Sequence, residues 1–210
     1  MSKITSDKLR HGEKQVKTML ANRPVMKAHV TQTDVVWKWA AKKFAGEYLG
    51  VTIDWNSEEP YHNADADHVY PTSKERGFIR VKKFSGPFAF ELSWSRAIFE
   101  LNNRLNYKLT KKIIRKTYSG RLGKKEFIIE MAKVEFKSIL ATEKFYKEIW
   151  EKWSNKKGLW SCPGEWYVGV PKKFSDWLKY YDKKSTYPWK IYSDFYDDHL
   201  EEWALANTRK

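Results

Sequence analysis

The sequence predicts an α+β protein, mostly helical, in one domain. A small two-stranded element packs on a long helix, and an aromatic-rich C-terminal lobe follows. Three observations lead there. Apolar residues recur every three or four positions over long stretches, the helical period. Two short segments, 51–55 and 77–84, read instead as strands. From Asn155 onward the chain is aromatic and interrupted by Pro163, Pro171 and Pro188.

The elements follow in order. Residues 1–30 hold a polar, basic helix (3–22), loosely attached. The site-bearing core is expected over 33–118 and the helical, aromatic lobe over 125–210. "TDVVWKWAAKKFAGEYL" (33–49) is an amphipathic helix capped by Thr33 or Asp34, with Val36, Trp39, Ala40, Phe44 and Leu49 near one face. Gly50 ends it, and "VTIDW" follows as a strand. "GFIRVKKF" is the second strand, broken by "SGP" at 85–87. A long helix then covers about 90–118, with Trp94, Ile98, Leu101, Leu105 and Leu109 as its buried stripe. Gly120 and Gly123 end it. A further helix spans about 125–153. "GLWSCPGEWYVGVPKKF" reads as loop with one short strand, and "KKFSDWLKYY" and "SDFYDDHLEEWALA" as short helices.

Composition excludes several classes. An aromatic share of 16% supplies the large apolar side chains that a disordered chain lacks. No apolar run approaches the roughly 20 residues that span a bilayer, and the start, "MSKITSDKLRHGEK", has no apolar signal region. The chain reads as cytoplasmic. Cys162 is the sole cysteine, which excludes an internal disulfide and a four-cysteine zinc site. The formal charge of +14 is concentrated: residues 74–125 carry fifteen Lys/Arg against three Glu, a net +12. Such a segment suits an anionic partner, nucleic acid before a membrane surface. On the expected long helix Arg104, Lys108, Lys111 and Arg115 follow i, i+4, i+7, i+11 and form one basic ridge. A solvated face is the competing reading.

One short stretch carries chemistry. "NADADHVYPTSKERGF" (63–78) sets Asp65, Asp67 and His68 beside a proline and a Ser–Lys pair. A carboxylate suits a hard divalent cation, and a histidine titrating near neutrality can take a proton from water. "DHVYPTSKERG" resembles the first half of the HNH nuclease motif through Asp67, His68, Val69, Pro71, Ser73, Lys74 and Gly77. The resemblance implies a hairpin crossed by a helix and clasping one metal ion, Mg or Mn. Asp67 would be a metal ligand and His68 the general base. The motif's second half departs from the family: no histidine lies between His68 and His199. Asn102 and Asn106, four apart on one helix face, stand in, Asn102 to hold the His68 loop and Asn106 as second metal ligand. Without a metal, the stretch reads as a polar loop in which Asp65 and Asp67 cap backbone groups and His68 is partly buried.

Element order also resembles the N-terminal part of zincin-like metallopeptidases. "FELNN" (Phe99–Asn103) falls where that family carries His-Glu-x-x-His. Both histidines are absent, which implies a binding or structural relative without zinc. The expected function is a metal-dependent, HNH-like nuclease acting on DNA, ahead of RNA. Lys82, Lys83, Arg104, Lys108, Lys111 and Arg115 would hold phosphates. The alternative is a non-catalytic basic binding protein, zincin-like in fold, with no cofactor.

Overall fold

The computed structural model describes residues 52–57, 64–69, 77–86, 88–156, 158–181 and 187–200. The expected helices over 3–22 and 33–49, and Pro71, Ser73 and Lys74 of the motif, lie outside them. The described elements give a mostly helical α+β chain with one small sheet. The chain divides into two compact units, residues 1–100 with 144–165, and residues 101–143 with 166–210.

The sheet belongs to the first unit. Its strands are β1 (Thr52–Ser57), β2 (Ala66–Val69) and β3 (Phe78–Lys82), in the order β1-β3-β2. β3 runs parallel to β1 and antiparallel to β2. The two expected strands are β1 and β3. The third, β2, reads as loop in the sequence because only Ala66 and Val69 of its four residues are apolar, too few to show a period of two. β3 itself alternates cleanly, with Ile79 and Val81 fully buried and Lys82 exposed.

A turn at Gly86, whose φ of +87° favours a residue without Cβ, leads into α1 (Ala89–Leu105). The first-unit stretch of α1 is buried on most sides: Trp94, Ala97, Ile98 and Phe99 are in the core, with Glu91, Ser93, Ser95 and Glu100. The expected helix over 90–118 is two helices. Asn106 interrupts it, its amide shared between the carbonyls of Asn102 (3.2 Å) and Asn103 (3.0 Å), and α2 (Tyr107–Tyr118) begins anew. α2 ends in a Schellman turn: Gly120 takes φ +70° and the Arg121 amide reaches back to the Lys116 carbonyl at 2.9 Å.

α3 (Lys124–Phe145) opens with Glu126 accepting from the Gly123 amide at 3.0 Å. A π-helical turn (Tyr146–Trp150) and α4 (Glu151–Lys156) complete the expected 125–153 run. No strand forms over 159–173 among the described residues; a 3₁₀ turn (Pro163–Trp166) stands there. α5 (Phe174–Tyr180) is the first expected short helix, and α6 (Trp189–His199) covers the start of the second, whose residues from 201 on lie outside the described ones.

The second unit closes on a core from α2, α3 and α6: Ile113, Phe127, Ile128, Met131, Val134, Tyr196 and Leu200. Beside it Phe136, Phe174, Trp177, Tyr181 and Tyr187 form a chain of ring contacts, with Trp177 fully buried. The aromatic lobe thus fills a core, at about 1.5–3 kcal/mol per fully buried large side chain.

Candidate functional site

Both aspartates of the "NADADH" stretch have an arginine partner. Arg80 lies directly opposite Asp67 on β3. Its Nε donates to Asp67 Oδ1 at 2.8 Å and its Nη2 closes the fork on Oδ2. On the other side of β3, Asp54 of β1 faces the same Arg80 in register, so one cation stands between two carboxylate-bearing positions. Asp65 is held by Arg96 of α1, whose Nε and Nη2 donate to Asp65 Oδ2 at 3.1 and 3.0 Å. The same guanidinium also donates to Glu165 Oε2 at 2.8 Å and to the Glu165 carbonyl at 3.1 Å. Arg96 therefore ties α1 to the approach to β2 and to the 3₁₀ turn.

Strand geometry separates Asp67 from His68. Neighbours on a strand point to opposite faces. Asp67 lies in the row of Asp54 and Arg80, and His68 lies in the row of Ile53 and Ile79, on the buried side. Both imidazole nitrogens are inaccessible to solvent. The two residues given to metal and base thus do not converge, and His68 sits on a strand rather than in a loop.

Asn102 and Asn106 do share a face, as their spacing requires. That face meets α3: Asn102 Nδ2 donates to Thr142 Oγ1 at 3.2 Å and Asn106 Nδ2 to Ser138 Oγ at 3.0 Å. Two i, i+4 pairs on facing helices form a ladder, and Asn102, Ser138 and Thr142 are buried. The zincin-like positions Phe99, Glu100, Leu101 and Asn102 are also buried on α1. Among the described residues, no group of three or more His, Cys, Asp or Glu could hold a metal ion. Cys162 lies half-buried near Glu91, whose carboxylate accepts from the Cys162 amide at 3.0 Å and from Ser161 Oγ at 2.6 Å. Burial, with the Glu91 and Glu165 carboxylates, pushes its thiol up, away from a reactive thiolate.

The basic residues divide differently from the ridge read in the sequence. The break at Asn106 takes Arg104 out of it. Arg104 is half-buried, with its guanidinium over the Tyr107 ring at 4.7 Å. Lys82 and Lys83 are exposed at and just past the end of β3. The rest of the ridge widens into a face. Lys108, Lys111, Lys112, Arg115, Lys116 and Arg121 line a shallow concavity of about 490 Å³ that no acidic residue enters among the described residues. Its structural basis is α2, with five cations and no acid in twelve residues, while Thr110, Ile113 and Thr117 turn to the core. Lys112 and Lys116 escaped the reading of the ridge. The i, i+4, i+7, i+11 template follows one line along a helix, whereas Lys112 at i+8, Lys116 at i+12 and the turn residue Arg121 broaden it.

Among the described residues, no helix is long and apolar enough to cross a membrane. No family model matches the chain, and no curated protein and no solved structure matches it either.

Proposed function

We propose that the chain is a non-catalytic nucleic-acid-binding protein that holds the phosphate backbone on the exposed face of α2. The observation that carries this reading is the concavity in which Lys108, Lys111, Lys112, Arg115, Lys116 and Arg121 converge, with no carboxylate in its lining among the described residues. Most helix surfaces of this length mix signs. Here α2 carries five cations and no acid, and a polyanion gains by releasing counterions to each cation it meets. The arginine partners of Asp65 and Asp67 favour binding without chemistry, since a metal at Asp67 would have to displace Arg80.

The test is a binding isotherm on labelled DNA and RNA across a salt series. Affinity should fall steeply with salt, and Lys111→Glu/Arg115→Glu should weaken it at least about tenfold and flatten the slope by roughly 0.9 for each phosphate no longer neutralised. Salt-independent binding, or an unchanged slope in the variant, would exclude the α2 face. A plasmid-nicking assay with Mg²⁺ or Mn²⁺ runs beside it. Binding without nicking is expected, and metal-dependent nicking abolished by His68→Ala would replace this reading with the HNH-like nuclease.

A further inference from the structure

Beside the basic concavity lies a second depression, and the two share Lys112 and Lys116. It is a trough of about 480 Å³ between α2 and α3. Its floor and lip are apolar, with Leu109, Ile113, Val134, Leu140 and Phe174 among its lining. Its rims are cationic: Lys112 and Lys116 on α2, Lys133 and Lys137 on α3, each pair four residues apart and so on one helix face. Glu130 is its one acid among the described residues, paired with Lys133 at 2.6 Å. That pair is exposed and i, i+3, an arrangement worth a few tenths of a kcal/mol, so an incoming phosphate displaces it at little cost.

We infer that this trough receives the bases of a single-stranded nucleic acid whose phosphates run along the lysine rims, an inference that rests on the α2 binding reading above. The charge pattern selects the occupant. A duplex presents phosphates outward and keeps its bases stacked inside, so it would engage the rims and leave the apolar floor empty. A single strand has an unstacked apolar face beside each phosphate. In cross-section the trough offers a cationic rim for the phosphate and an apolar floor for the base, with a second cationic rim across from it. Phe174 is half-buried in its lining, 5.8 Å from the Phe136 ring centroid. It supplies a π surface that every base can meet, which gives preference for strandedness without preference for sequence. Continuity through Lys112 and Lys116 lets one strand pass from the concavity into the trough.

The experiment compares three labelled ligands with equal numbers of phosphates over one salt series: a single strand, a duplex, and an abasic strand. The full chain should bind the single strand about tenfold more tightly than the abasic strand, the scale of one base stacked on an aromatic ring. 2-Aminopurine placed in the single strand should change its fluorescence on binding. Phe174→Ala should reduce the single strand to the affinity of the abasic strand while leaving the salt slope unchanged. Leu109→Ser, at a lip residue already 39% exposed, tests the same surface without touching the core. Equal affinity for all three ligands with unchanged 2-aminopurine fluorescence would overturn the inference and leave the phosphate-binding face standing. Failure to bind any of them would overturn both. Dodecanoate that binds without being displaced by the oligonucleotide would assign the trough to an anionic amphiphile, and that too overturns it.

Discussion

Asp67 shows how a single side chain changes meaning once its neighbour across the sheet is known. The residue types of "NADADH" were legible as metal-site chemistry. What could not be read was that Asp67 and Arg80, thirteen residues apart, face each other on β2 and β3, because register is set by pairing that no local pattern encodes. Asp67→Asn keeps the shape and loses the charge. It should lower stability by about 1–3 kcal/mol in urea unfolding, as expected for a charge-assisted pair, and leave oligonucleotide affinity unchanged. Glu135 lies buried on α3. Burial pushes its carboxyl from 4.5 up to about 7, against a hydrogen bond from Tyr187 that lowers it, and Tyr192 donates its hydroxyl to the same carboxylate. A folded-state value above the unfolded one means that the native protein favours the protonated form. The contribution is therefore fully present below about pH 4.5 and is lost as pH rises through about 7. It amounts to roughly 3 kcal/mol. Glu135→Gln should flatten that dependence, so that wild type and variant differ most in urea midpoint on the alkaline side of neutrality. A midpoint difference independent of pH would show that the carboxyl does not titrate there.

At the scale of elements the apolar spacing was a good guide to helices and a poor one to their breaks. Trp94, Ile98, Leu101, Leu105 and Leu109 keep helical phase straight through Asn106, so nothing in the period announces that α1 stops and α2 starts. The fourfold spacing of Asn102 and Asn106 was legible. Their partners Thr142 and Ser138 were not, because they lie on another helix more than thirty residues on. That ladder makes a specific claim. Asn102→Ala leaves the Thr142 hydroxyl without its donor in a buried place and should cost about 1–3 kcal/mol. Adding Thr142→Val should recover part of the loss, because removing both partners is cheaper than orphaning one. Additive costs in the double variant would mean the two side chains do not interact. β2 failed for the opposite reason: a strand of four residues is too short to show its period.

For the molecule as a whole, charge was the most legible property and its geometry the least. The +12 excess over 74–125 is plain in the sequence, yet the residues that carry it divide. Lys82 and Lys83 stand at the end of a strand, Arg104 lies over Tyr107, Arg80 and Arg96 are committed to aspartates, and the cations of α2 with Arg121 form the open face. That face has its own internal tension. Lys108 with Lys112, Lys111 with Arg115, and Lys112 with Lys116 are like charges four apart on a helix with no acid to interleave them. Each such pair destabilises by about 0.2–0.5 kcal/mol, so the bare helix is held against its own repulsion by Ile113, Thr110 and Thr117 on its inner side. Added salt therefore pulls the protein in two directions. It should raise the melting temperature of the free chain by relaxing α2, while it weakens every complex made through the same lysines. Differential scanning calorimetry and a binding titration over one salt series would trace two curves of opposite slope from a single set of charges. In Lys111→Glu/Arg115→Glu both curves should flatten together.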